Sequence, residues 1–98
     1  MLDKYILPND GVRSRIIDGE TVVLNLKDNS FYFLNLVGAR IWELANGKIK
    51  VSKIIDIIFK GFDIDHKTAQ KDVINFIKEL SKNKMLNLYD KPRIASKA

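Results

Sequence analysis

The side chains with any capacity for chemistry gather between positions 63 and 78. His66 is the single histidine, it sits close to Asp63, Asp65 and Asp72, and the chain contains no cysteine. That removes a thiol nucleophile, a disulfide scaffold and any cysteine-ligated zinc or iron–sulfur site. A metal would have to rest on one imidazole and on carboxylates. The spacing of Asp63, Asp65 and Asp72 lacks the glycine and the terminal glutamate of a calcium loop. No glycine-rich phosphate loop occurs, no nucleophile has an adjacent base, and nothing places two carboxylates in one cleft. On these grounds Asp65 is expected to cap a helix and Asp72 to anchor one. No catalytic, metal or cofactor site is expected.

Binding is the chemistry that remains, and two segments suit it. The first is Phe31-Tyr32-Phe33-Leu34, which follows the turn-formers Lys27-Asp28-Asn29-Ser30. Tyr32 differs in strand parity from Phe31 and Phe33, so the three rings cannot share a face, and one aromatic face is left for a groove or a helix. The second is the set Lys67, Gln70, Lys71, Ile74 and Lys78. On a helix, Ile74 falls roughly a third of a turn from the stripe Val73, Phe76 and Leu80, beside a lysine face. That mixture suits apolar and acidic peptide side chains, although a solvated lysine face is the commoner origin of such a pattern.

The elements that must position these residues are written in the hydrophobic periodicity. Val12–Ile17, Thr21–Leu26 and Phe31–Leu34 read as three antiparallel strands, the first two joined at the turn dipeptide Asp18-Gly19. From Asn35, a cap residue, the period becomes helical. One helix over 36–45 carries Val37, Ile41 and Leu44 and stops at Asn46-Gly47. A second over 52–60 is apolar almost all round, with Lys53, Asp56 and Lys60 as its polar edge, so it must be buried on most sides. A third over 66–82 has the stripe Ala69, Val73, Phe76, Ile77 and Leu80, and Trp42 is expected to cover a second apolar surface. The fold class is α+β: a three-stranded antiparallel sheet followed by three helices, winged helix-turn-helix-like. Ile41, Leu44, Ile54, Ile58, Val73, Phe76, Ile77 and Leu80 are the expected core. One domain over 1–90 and a basic, flexible tail over 91–98 complete the reading.

The bulk numbers narrow the function classes. The 98 residues carry a net charge of +5, but the only arginines are Arg13, Arg15, Arg40 and Arg93. Arginine reads guanine edges and clamps phosphate, whereas lysine is a diffuse point charge, so the excess points to an acidic partner or to solubility. The first residues lack a basic segment followed by an apolar run, and no stretch has the length of a membrane span. A cytoplasmic protein is expected.

At Phe31-Tyr32-Phe33-Leu34-Asn35, running into Ala39-Arg40-Ile41-Trp42-Glu43-Leu44 and Asn46-Gly47, the sequence resembles the PqqD family. Its members include the RiPP recognition elements, which bind leader segments of ribosomally made, later modified peptides. The resemblance continues through Ile54-Ile55, Asp72-Val73, Phe76-Ile77, Leu80 and Leu86 and spans roughly residues 12 to 88. The turn Lys27–Ser30 lacks the Pro-Glu of many members, and Val37-Gly38 stands where small or hydroxylated residues are usual. Both departures weigh against the pyrroloquinoline quinone pathway itself. The resemblance implies a peptide adaptor without catalysis, whose partners are a precursor leader and a separate modifying enzyme, such as a radical SAM enzyme or a peptidase–cyclase pair. In the family the leader adds as a strand beside the third strand, in a groove walled by the last helix. Carried onto this chain, the site is Ser30, Phe31, Tyr32, Phe33 and Leu34 with Gln70, Lys71, Ile74, Ile77 and Lys78. A free aromatic edge also implies a monomer able to dimerise through that edge or by a swapped segment. The alternatives are a winged-helix DNA-binding protein, which the lysine-only third helix argues against, and a scaffold or antitoxin-like protein.

Overall fold

The computed structural model describes residues 1–94, in the order β1 (Tyr5–Pro8), β2 (Val12–Ile17), β3 (Glu20–Asn25), β4 (Phe31–Leu34), α1 (Leu36–Leu44), α2 (Val51–Gly61), α3 (His66–Lys82) and β5 (Leu86–Tyr89). Local chemistry sets the joints. Asp18 and Gly19 take φ of 51° and 80°, the pair of positive values that a two-residue hairpin turn of matching twist requires. Between β3 and β4 the turn is held by Asp28, whose carboxylate accepts from the Ser30 N–H at 2.9 Å and from its hydroxyl at 2.6 Å. Asn35 caps α1 by accepting from Gly38 N–H at 2.8 Å, and Asp65 caps α3 by accepting from Thr68 N–H at 2.7 Å. Helix α2 begins without a side-chain cap.

The strands form two sheets. β2-β3-β4 is the expected antiparallel meander, and β1 pairs with β5 in a separate two-stranded sheet, which the sequence reading did not anticipate. The register of the meander defines its faces, because directly paired residues point the same way. Val12–Asn25, Val23–Tyr32 and Thr21–Leu34 face inward, whereas Arg13–Leu24–Phe31 and Arg15–Val22–Phe33 face outward. The inner row of β3 holds only one apolar residue, Val23, between Thr21 and Asn25. Its outer row is the more apolar of the two.

The core lies between the inner face and the three helices. Ile6, Val23, Ile41, Ile54, Ile58, Val73, Ile77, Leu80 and Met85 are all buried there. Trp42 packs against this cluster half-buried. One expectation needs correction: Phe76 is also only half-buried and sits at the margin of the core. It is displaced toward α1, where Gly38 leaves room for its ring. A Cβ at Gly38 would lie 3.2 Å from Phe76 Cε2 and 3.5 Å from Leu34 Cβ.

After β5 the chain turns back on itself. The Arg93 N–H donates to Gly47 O at 2.7 Å, and the Arg93 guanidinium lies 4.5 Å from the centre of the Tyr89 ring. Of the basic tail expected over 91–98, residues 95–98 lie outside the described residues. Among the described residues no helix is long and apolar enough to cross a membrane.

Candidate functional site

β4 is the edge of its sheet, and the ladder on its inner side identifies the groups left open. Asn25 N–H donates to Ser30 O at 2.9 Å, and Leu26 N–H donates to Gly11 O at 2.9 Å. Bonded and non-bonded pairs alternate along an antiparallel ladder. With Val23 opposite Tyr32 and Thr21 opposite Leu34, residues 30, 32 and 34 direct their N–H and C=O groups to β3. Phe31 and Phe33 direct theirs the other way. The open edge therefore presents the main-chain donors and acceptors of these two phenylalanines.

The side chains of β4 divide by face. Tyr32 and Leu34 pack against the core, while Phe31 and Phe33 are each 57% exposed, their rings 5.8 Å apart and nearly perpendicular. The outer face thus carries an edge-to-face aromatic pair next to Val22 and Leu24, flanked by Arg13 and Arg15. Asp28, whose carboxyl the Ser30 hydroxyl and N–H hold below the usual carboxylate range, fixes the entry to this strand.

On the helix side, two depressions adjoin. One, of about 260 Å³, is lined by Asn35, Val37, Gly38, Ile41, Asp72, Asn75, Phe76 and Glu79. It lies where α1 leaves β4 and meets α3. The other, of about 660 Å³, is lined by His66, Lys67, Gln70, Lys71, Ile74 and Asn75. His66 is steadied there by Asp56, 3.6 Å away, and by the ring of Phe59 at 5.4 Å.

The structure brings Gln70, Lys71 and Ile74 together as expected, but it does not bring them to β4. Successive helical residues are ~100° apart, so Ile74 stands roughly 160° around α3 from Phe76. Because Phe76 faces Leu34 and Gly38, the Ile74 flank faces away from them. Ile77 is wholly buried in the core and offers no surface to a ligand, and Lys78 is exposed but lines neither depression. The residues of α3 that adjoin the strand are Asp72, Asn75, Phe76 and Glu79. One signal for them was in the sequence: three polar residues at 72, 75 and 79 beside an aromatic that stands off the stripe 69, 73, 77, 80. Asn75 lines both depressions, so the expected lysine-bearing surface continues the one beside β4. Among the described residues, no group of three or more His, Cys, Asp or Glu side chains is placed to hold a metal.

The site is thus an open strand edge with a helix-walled trough on one side and a largely apolar sheet face on the other. The family model for coenzyme PQQ synthesis protein D (PqqD) matches residues 20–86, and the chain belongs to the PqqD family. Among solved structures it is similar to TbiB1 in complex with the TbiA(beta) leader peptide, at 31% identity over 83% of this chain and 94% of that one, with a TM-score of 0.74. A lasso peptide synthetase B1 complexed with the leader peptide shares the fold, with a TM-score of 0.74 at 17% identity over 84% of this chain and 96% of that one. No curated protein matches the chain.

Proposed function

We propose that this protein binds the leader segment of a ribosomally made precursor peptide as an added strand on β4 and presents it to a separate modifying enzyme. The observation that carries the reading is the open edge, whose free N–H and C=O groups belong to Phe31 and Phe33. A peptide paired there gains main-chain hydrogen bonds whatever its sequence, and alternate side chains enter the trough between α1 and α3. The likeness to TbiB1, solved with a leader peptide, supports a leader as the occupant.

An added strand would run beside the trough lined by Phe76, Asp72, Asn75 and Glu79, and the Gln70, Lys71 and Ile74 surface would meet the peptide on the next flank of α3. The enzyme partner, a radical SAM enzyme or a peptidase–cyclase pair, has its own candidate surface in the outer face, where Phe31, Phe33 and part of Leu24 are exposed over the buried Val22. An apolar face of this kind is what a protein partner covers. The protein's part is binding and presentation, with no bond made or broken by its own residues. A cytoplasmic address belongs to the same reading, since ribosomally made precursors are met there.

The test is amide hydrogen exchange with and without the leader of a precursor encoded beside this gene. Protection should appear at the Phe31 and Phe33 amides and leave Tyr32, already bonded to β3, unchanged. Leader binding without protection at those two amides would place the site elsewhere. Random duplex DNA titrated at two salt concentrations is the control, because phosphate-driven binding weakens steeply with salt.

A further inference from the structure

The two depressions that meet at Asn75 differ in the sign of their charge. Beside β4, on a floor of Val37, Ile41 and Phe76, stand Asp72 and Glu79, with no cation among the lining residues. Across Asn75, His66, Lys67 and Lys71 surround Ile74, with no carboxylate among the lining residues. Ion pairs among the described residues are Lys4–Asp90 and Arg40–Glu43, and His66 Nε2 lies 3.6 Å from Asp56 Oδ1. Asp72, Glu79, Lys67 and Lys71 are therefore left unpaired. In a chain with 17 Lys and Arg against 12 Asp and Glu, an unpaired acidic stretch next to the peptide edge opposes the overall field.

Resting on the strand-addition reading, we propose that this groove is charge-sorted. It selects a leader with a lysine or arginine on the helix-facing side of the added strand, and with an acidic residue next to an apolar one where the chain passes on to the Ile74 flank. A long basic side chain fits the first position, because its aliphatic stem covers Phe76 and Val37 while its tip reaches two carboxylates. An acidic residue beside an aliphatic one fits the second, where lysines ring Ile74. The two lining sets are centred about five residues apart on α3, ~7.5 Å along its axis, and lie on different flanks. Roughly four residues of extended peptide connect them. Such a groove also fixes the direction of the bound chain, since a reversed leader would set like charges against each other.

The experiment is a selection of random 14-residue displayed peptides on the immobilised full chain. Enriched peptides should carry a lysine or arginine, with an acidic and an aliphatic residue about four to six positions away and always to the same side. One selected peptide is then synthesised and titrated. Exchanging its basic residue for glutamate should weaken binding at least about tenfold, with the loss shrinking in high salt. Glu79→Lys protein, altered at an exposed position, should recover most of that loss, whereas Lys71→Glu should not. A thermal melt of each variant verifies that the fold is kept. Peptides that protect the Phe31 and Phe33 amides yet show no charge pattern, or lose less than twofold on the exchange, overturn charge sorting and leave strand addition standing. If no selected peptide protects those amides, strand addition falls and charge sorting falls with it.

Discussion

Asp65 shows how much one residue settles locally. The Thr68 N–H and hydroxyl hold its carboxyl below the usual carboxylate range, as the Ser30 hydroxyl and N–H do for Asp28. A carboxyl with a lower pKa in the folded than in the unfolded chain stabilises the fold above the unfolded value of about 3.9, and that share is lost as pH falls through the folded value. The melting temperature should therefore fall as pH drops below about 4 on account of these two groups. Asp65→Asn should flatten part of that fall while keeping the cap acceptor, and Asp65→Ala should lower the melting temperature at neutral pH as well. Phe76 is the other informative residue. Ile58→Ala, in the buried core, should cost about 2–5 kcal/mol in a denaturant titration. Phe76→Ala, half-buried, should cost no more than about half of the ~3–5 kcal/mol of a fully buried phenylalanine. It should weaken leader binding markedly in calorimetry, since its exposed part floors the trough. Retention of full affinity by Phe76→Ala would remove it from the site.

At the scale of elements, β4 separates two roles that neighbouring residues play. Tyr32→Pro removes an N–H that bonds to β3, so it should lower the melting temperature. Phe33→Pro removes an N–H of the open edge, where proline is tolerated, so it should spare the fold and abolish peptide pairing. Melting and titration of both variants decide the matter, and the opposite pattern would mean that the ladder parity is inverted. The same strand shows what was legible beforehand. The alternation of β3, the Asp18-Gly19 turn, the Asn35 and Asp65 caps and the three helices are short-range signals, and they place β2 to α3 within a residue or two. β1 and β5 were missed because each is four residues long and finds its partner about eighty residues away. The helix flank facing β4 was missed for a related reason. Periodicity locates a buried stripe but not its neighbours on either side, and here the contact of Phe76 with Gly38 decides which flank adjoins the strand.

At the scale of the whole molecule, both the open edge and the outer aromatic face invite association. A monomer in dilute solution is expected, with dimers through β4 edges at high concentration that dissociate when leader is added. Sedimentation velocity with and without leader measures this. A dimer that leader leaves intact would have formed through another surface.

The pairing of β1 with β5 sets Tyr5 opposite Tyr89, so the first and last strands of the described fold lie side by side. That pair is served by Ile6 and Leu86 on the core side and belongs to a different sheet from β4. A domain whose first and last strands are neighbours can be spliced at those strands into a loop of another protein with little distortion of the host. It can also be re-cut. Joining residue 90 to residue 4 through a short linker, and opening the chain between Asp18 and Gly19, should give a circular permutant with its peptide edge intact.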